Sequence, residues 1–244
     1  MFRHEGDQRT DRHNRLLAGY LAAIAGIVNS SGFVLIGSFT SHVTGNVGRF
    51  ADDVAMHRSA APLFAALLVA AFFAGAFFAS VMIESSAARP KTYTALLFIE
   101  GGVLAAFALL SYVMDTHDSH FRDIQGALLC FAMGLQNSLV TRLSGAVVRT
   151  THLTGVVTDL GIELARWFRA WRARFGLVVG DAPPVAPHRS HLILLVTIFG
   201  AFAAGSVVGA LAAVRWDQLA MLVPTLALFG GGLYAARSLA AATP

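Results

Sequence analysis

Two short runs in this chain carry the residue types that can do chemistry. Ser41-His42-Val43-Thr44-Gly45 and Thr151-His152-Leu153-Thr154-Gly155 each bring an imidazole and hydroxyls beside a glycine. An amide-bearing run precedes each one, Gly26-Ile27-Val28-Asn29-Ser30 in one case and Gly134-Leu135-Gln136-Asn137-Ser138 in the other. Such groups suit a polar solute, and their amide oxygens also suit a cation. Apolar residues then recur at helical spacing: Val47, Phe50 and Val54 after the first run, Val157, Leu160 and Leu164 after the second. That spacing predicts a helix starting at each His-x-Thr-Gly element. A helix start carries free N–H groups and partial positive charge, so it favours an anion. Asn29, His42, Thr44, Asn137, His152 and Thr154 are therefore the candidate solute-binding residues. A plainer use of the same residues also stands. Ser or Thr before a helix can cap it, with the imidazoles tied to the backbone. Amides inside an apolar span can bond between helices, for about 0.6–2 kcal/mol each.

Glu100 offers a different chemistry. It is the only acid well inside an apolar span, seven residues from Tyr93, or roughly 10 Å along a helix. An ionised acid there costs about 2.5–3.5 kcal/mol to insert, which the surrounding apolar residues offset. The side chain must face the interior or be protonated, which makes it a candidate proton-coupling site. Partnership with an arginine, or snorkelling to the interface, is the structural alternative. The chain holds no nucleophile–base–orienter set and no metal-ligand spacing. Cys130 is the single cysteine, so no intramolecular disulfide can form and a small buried hydrophobe is expected. No cofactor and no metal are expected. An intramembrane enzyme using His42 or His152 as base is the least favoured class.

The elements that must position these groups are membrane helices. Of the 244 residues, 56% are hydrophobic and 13% charged, with a mean hydropathy of +0.63; soluble domains carry about 25% charge. Six stretches are apolar enough to span: Leu16–Gly37, Ala60–Ile83, Tyr93–Met114, Ile124–Val140, Leu192–Val214 and Leu219–Leu239. With the N-terminus in the cytoplasm, fourteen Lys and Arg fall inside and four outside, which favours six spans with both termini inside. The basic residues sit between spans, so the pI near 9.8 reflects topology and no nucleic-acid partner is expected.

The motif likeness extends beyond the two runs. Ser41–Ala55 and Thr151–Ala165 are identical at five of fifteen positions. An offset of 130 pairs Gly75 with Gly205, Gly101-Gly102 with Gly231-Gly232, and Glu100 with Gly230. Three spans per repeat is an odd number, so the second repeat must lie upside down. The expected fold is all-α: a polytopic membrane protein of six transmembrane helices as two inverted three-helix repeats. Residues 1–15 form a cytoplasmic tail, 16–115 the first repeat and 116–240 the second. The ladders Ala71, Gly75, Ala79 and Ala201, Gly205, Gly209, Ala213 suit close helix packing. Pro224 is a potential kink in the sixth span. Near 154–175, Leu160, Leu164, Trp167, Phe168, Trp171 and Phe175 share a helical face bordered by Arg166, Arg169, Arg172 and Arg174. This reads as a basic amphipathic helix on the cytoplasmic leaflet, followed by a proline-rich linker over 176–189.

Gly26 through Phe33 with Ser41 through Asn46, and Gly134 through Arg142 with Val148 through Gly155, together resemble the YoaK-type proteins. These are a family of bacterial inner-membrane proteins of unknown function. The resemblance covers about 16 to 240. It implies six spans and the inner membrane, and it brings no substrate. The family pattern often has a carboxylate where this chain has Asn29, which argues against proton carriage there. Inverted repeats recur in secondary transporters, with sites at the repeat interface. The function expected is therefore a small secondary transporter for a small polar or anionic solute, with the lipid bilayer as its surroundings. A non-transporting scaffold or lipid-interacting protein is the alternative, and a homodimer stays open.

Overall fold

The computed structural model describes residues 5–58, 61–113, 119–175, 186 and 188–241. Among them the chain is all-helical, with no strand. The helices are α1 (Asp11–Ile36), α2 (Val43–Ala55), α3 (Ala61–Glu84), α4 (Arg89–Val113), α5 (Ser119–Leu143), α6 (Leu153–Ala173), α7 (Arg189–Trp216) and α8 (Leu222–Ala240). Short 3-10 turns lie at Gly6–Gln8 and Asp217–Met221. Five stretches are long and apolar enough to cross a membrane: Asp11–Ile36, Ala61–Glu84, Arg89–Ser111, His120–Leu143 and Arg189–Ala240. The fifth contains both α7 and α8, separated by the turn at Asp217, whose φ of 48° interrupts the helix. His120–Leu143 is the least apolar of the five, as expected from Gln125, Gln136 and Asn137.

The long helices pack in exchanged pairs. α1 lies mainly on α7, α3 mainly on α5, and α4 on α8. Glycines set the closeness of the first two pairs. A methyl group added at Gly26 on α1 would overlap the Phe202 carbonyl of α7, and one at Gly205 on α7 would overlap the Ala23 carbonyl of α1. The second pair repeats this: Gly134 on α5 meets the Phe72 carbonyl of α3, and Gly75 on α3 meets the Phe131 carbonyl of α5. Without a strong hydrophobic drive between helices in lipid, such backbone-to-backbone approach supplies dispersion contacts over long faces. The small-residue ladders are packing surfaces, as their spacing predicts. Tyr20 of α1 also reaches α8, donating to the Ala227 carbonyl at 2.7 Å, and its ring passes over Gly231.

Several local features depart from the sequence reading. α1 begins at Asp11, before its apolar stretch, because Thr10 and His13 form a capping box and Arg9 bonds Asn14 at 2.7 Å. Glu5 pairs with Arg89 at 2.8 Å, tying this end to α4. Pro224 produces no mid-span kink. It falls in the first turn of α8, where a missing N–H costs no helical bond. Cys130 is buried, as expected. Residues 1–4, 114–118 and most of the proline-rich linker lie outside the described residues. α6 spans the expected amphipathic segment. Trp167, Phe168 and Trp171 are exposed on it and Phe175 just past its end, and the Arg172 guanidinium lies 5.9 Å over the Phe168 ring.

The glycine contacts generate a stability test. Gly134→Ala forces α3 and α5 apart and should cost about 1–3 kcal/mol, measured as unfolding of the detergent-solubilised protein. Gly102 faces open space, so Gly102→Ala should be neutral or gain up to about 1 kcal/mol. Equal stability of the two variants would contradict the packing described.

Candidate functional site

After α1 the chain turns back at Gly37, whose φ of 73° is left-handed and ends the helix. The returning segment runs alongside α1 until it meets Asn29. The Asn29 Oδ1 accepts from the Ser41 amide at 3.1 Å and from the Ser41 hydroxyl at 2.9 Å. Asn29 lies seven residues before the end of α1, so the chain has come back roughly 10 Å before α2 begins. The second half does the same. Gly145 and Ala146 adopt φ of 62° and 64°, and the chain returns until the Thr151 hydroxyl donates to the Asn137 Oδ1 at 2.8 Å. Asn137 stands six residues before the end of α5, a return of about 9 Å.

α2 and α6 therefore start level with Asn29 and Asn137, well before the ends of α1 and α5, with His42 and His152 in equivalent cap positions. Their φ,ψ values are −97°,69° and −87°,54°. Neither residue caps its helix through a side chain, and Ser41 and Thr151 are turned to the asparagines instead. The ordinary-cap alternative is thus not the geometry found. The glycine of each His-x-Thr-Gly element makes room for its own imidazole. A methyl at Gly45 would come within 2.6 Å of His42 Nδ1, and one at Gly155 within 3.2 Å of His152 Nδ1.

Both helix starts open on one cavity of about 550 Å³. His42 and Thr44 line it from one half; Asn137, His152 and Thr154 line it from the other. Five of the six residues singled out by sequence thus meet at one place. The sixth, Asn29, stands behind the wall, holding Ser41. Glu100 does not line the cavity. It is fully buried on α4, where Gln136 of α5 faces it. Neither carboxylate oxygen and neither amide atom of that pair has a hydrogen-bond partner among the described residues. Sequence reasoning missed Arg149, which also lines the cavity and which topology alone counted as an inside charge. It missed Phe72 and Thr141 as well. The one available signal for Arg149 was its place two residues before Thr151.

Each cavity helix is fixed further along by a buried acid. Asp53 of α2 pairs with Arg58 at 2.9 Å and Arg49 at 3.7 Å. Glu163 of α6 accepts from Arg166 at 2.6 Å and from the His188 amide at 3.2 Å, with His191 Nδ1 at 3.5 Å. This joins α6 to the start of α7. Burial works against the charged form of Glu163. The His188 amide, His191 and Arg166 outweigh it and hold the carboxyl below its usual value of 4.5.

Two outcomes follow. Asn29→Ala or Asn137→Ala strands the polar groups of the returning segment and should cost about 1–3 kcal/mol in unfolding experiments. Glu163 contributes stability that is complete above 4.5 and lost as pH falls through its lowered folded value. The melting-temperature gap between wild type and Glu163→Gln should therefore hold steady from neutral pH down to that range and close below it. A gap that widens on acidification would exclude the joint described.

Comparison with known proteins agrees with this membrane architecture. The family described as "Protein of unknown function (DUF1275)" matches residues 17–234. The "UPF0700 transmembrane protein RA0705" of Rhizobium meliloti strain 1021 is 33% identical over 211 residues, covering 86% of this chain and 81% of that protein. No solved structure matches. Multiple apolar helices and a transmembrane relative make this a multi-pass membrane protein, and the YoaK-type resemblance is consistent with the same grouping. The chain belongs to the DUF1275 family.

Proposed function

We propose that this protein is a small secondary transporter for a small polar or anionic solute, and not an enzyme. One observation carries the reading: two His-x-Thr-Gly elements from distant parts of the chain line a single cavity. Counting α7 and α8 as separate crossings gives six spans. The exchanged pairing of α1 with α7 and α3 with α5 supports two inverted three-helix repeats. In that frame the segments before α2 and α6 re-enter the membrane from opposite sides and meet near its middle, where repeat-built transporters hold their solutes. His42, Thr44, Asn137, His152 and Thr154 line the path, and Asn29 supports it. Glu100, buried with unpartnered oxygens beside Gln136, is the proton-coupling candidate. The arginine bias sets both termini in the cytoplasm of a bacterial inner membrane.

A scaffold or lipid-interacting role is the second reading. The exposed aromatic face of α6, with its arginines, favours it.

Uptake into proteoliposomes tests the choice. Across a broad solute screen, at least one solute should accumulate. His42→Ala and His152→Ala should each lower that uptake about five- to tenfold, the loss of roughly one hydrogen bond, with unchanged elution on gel filtration. Wild-type uptake in both variants would sink the transport reading. No uptake of any solute would favour the scaffold.

A further inference from the structure

We infer that the cavity between α2 and α6 takes a small oxyanion, of the carboxylate, nitrate or phosphate class. This deepens the reading of the cavity as a solute site and rests on it.

The charge balance of the wall comes first. Arg149 lines the cavity, and among the described residues no Asp or Glu does. Arg142, next to the lining residue Thr141, is committed to Glu84. Arg149 has no ion-pair partner among the described residues. A planar guanidinium facing a cavity, with no carboxylate to neutralise it, matches an anion that brings two or more oxygens.

The second observation concerns which donors are free. The first helical bonds run from the Asn46 amide to the His42 carbonyl and from the Val156 amide to the His152 carbonyl. The three amides before each have no helical acceptor, and no cap side chain covers them. α2 and α6 are 13 and 21 residues long, so both carry a full helix dipole. Their first six residues include no Asp or Glu. The buried acids Asp53 and Glu163 lie about ten residues on, roughly 15 Å along each helix, where their own basic partners hold them.

The third is the polarity of Asn137. Its Oδ1 is occupied by the Thr151 hydroxyl, which leaves the amide hydrogens as what it offers to the cavity. Guanidinium, free helix amides and a side-chain amide are all donors, and they surround about 550 Å³, room for a small solute. A neutral amide or sugar would leave the guanidinium without a counter-charge. At the repeat offset of 110, Arg149 corresponds to Phe39, which stacks on Phe33 at 4.3 Å. The two halves thus share the donor frame, and only one supplies the charge.

The experiment is calorimetric titration of the purified full-length protein at constant ionic strength in chloride. Acetate, nitrate and phosphate are the probes, and acetamide is the uncharged control. At least one anion should bind, acetamide should not compete, and Arg149→Gln should weaken binding by about tenfold or more. Arg149→Lys, which keeps the charge, should recover part of that loss and guards against misfolding of the glutamine variant. Absence of binding by all three anions to folded wild-type protein overturns the inference. So does equal binding by wild type and Arg149→Gln, or equal competition by acetamide. The two readings fail separately. Anion binding without vesicle uptake defeats transport and leaves the anion site. Uptake of a neutral solute that depends on His42 and His152, without anion binding, does the reverse.

Discussion

Backbone that leaves a helix and folds back along it gives up its helical hydrogen bonds and must find other partners. Asn29 answers that demand for the Ser41 amide, and Asn137 holds the returning chain by the Thr151 hydroxyl. Each sits well before the end of its helix and holds the chain that comes back beside it. The depth of that return decides where the following helix starts. The helix start decides where its uncovered amides lie, and those amides decide where the cavity is. A polar side chain in an apolar span is costly on its own. Here the cost is offset by the groups each one holds, the Ser41 amide and hydroxyl at Asn29 and the Thr151 hydroxyl at Asn137.

Neither half of the chain can build this alone. α1 has its main partner in α7 and α3 in α5, so the closest helix pairs around the cavity join distant sequence. Paired glycines make the contact from both sides: Gly26 and Gly205 in one pair, Gly134 and Gly75 in the other. The likeness of the halves ends where charge begins. Asp53 is held by arginines close by in its own half, whereas Glu163 also reaches the His188 amide and His191 at the start of α7. Arg149 has only an aromatic counterpart.

Much of the site was legible because membrane composition makes polar residues conspicuous. His42, Thr44, Asn137, His152 and Thr154 stood out against apolar neighbours, and they do converge. Cys130 and the small-residue ladders were read correctly for the same reason. What the sequence hid depends on the chain's path through space. Arg149 looked like one more inside charge until the return to Asn137 brought it to the cavity. Ser41 and Thr151 looked like caps because capping is their usual use before a helix, yet the asparagine oxygens claim their hydroxyls. Glycine spacing shows that a helix will be approached closely, but it does not name the helix that approaches. The partner exchange therefore had no signature in either half read alone. Pro224 misled because a proline in an apolar stretch marks either a kink or a beginning, and the turn at Asp217 makes it the latter.

The backbone contacts at the glycines have a mechanical consequence. Helices whose carbonyls sit where a side chain would otherwise stand cannot slide or tilt past one another without losing contact along their length. α1 and α7 therefore behave as one rigid body, and α3 and α5 as another. If the molecule rocks, the dividing surface cannot separate its first hundred residues from the rest. It must run between two bodies that each contain one helix from either half. The element beginning at His42 follows α1 in the chain yet packs on α3, and the element beginning at His152 follows α5 yet packs on α7. Each is a strap from one body to the other, and the cavity lies between the starts of the two straps.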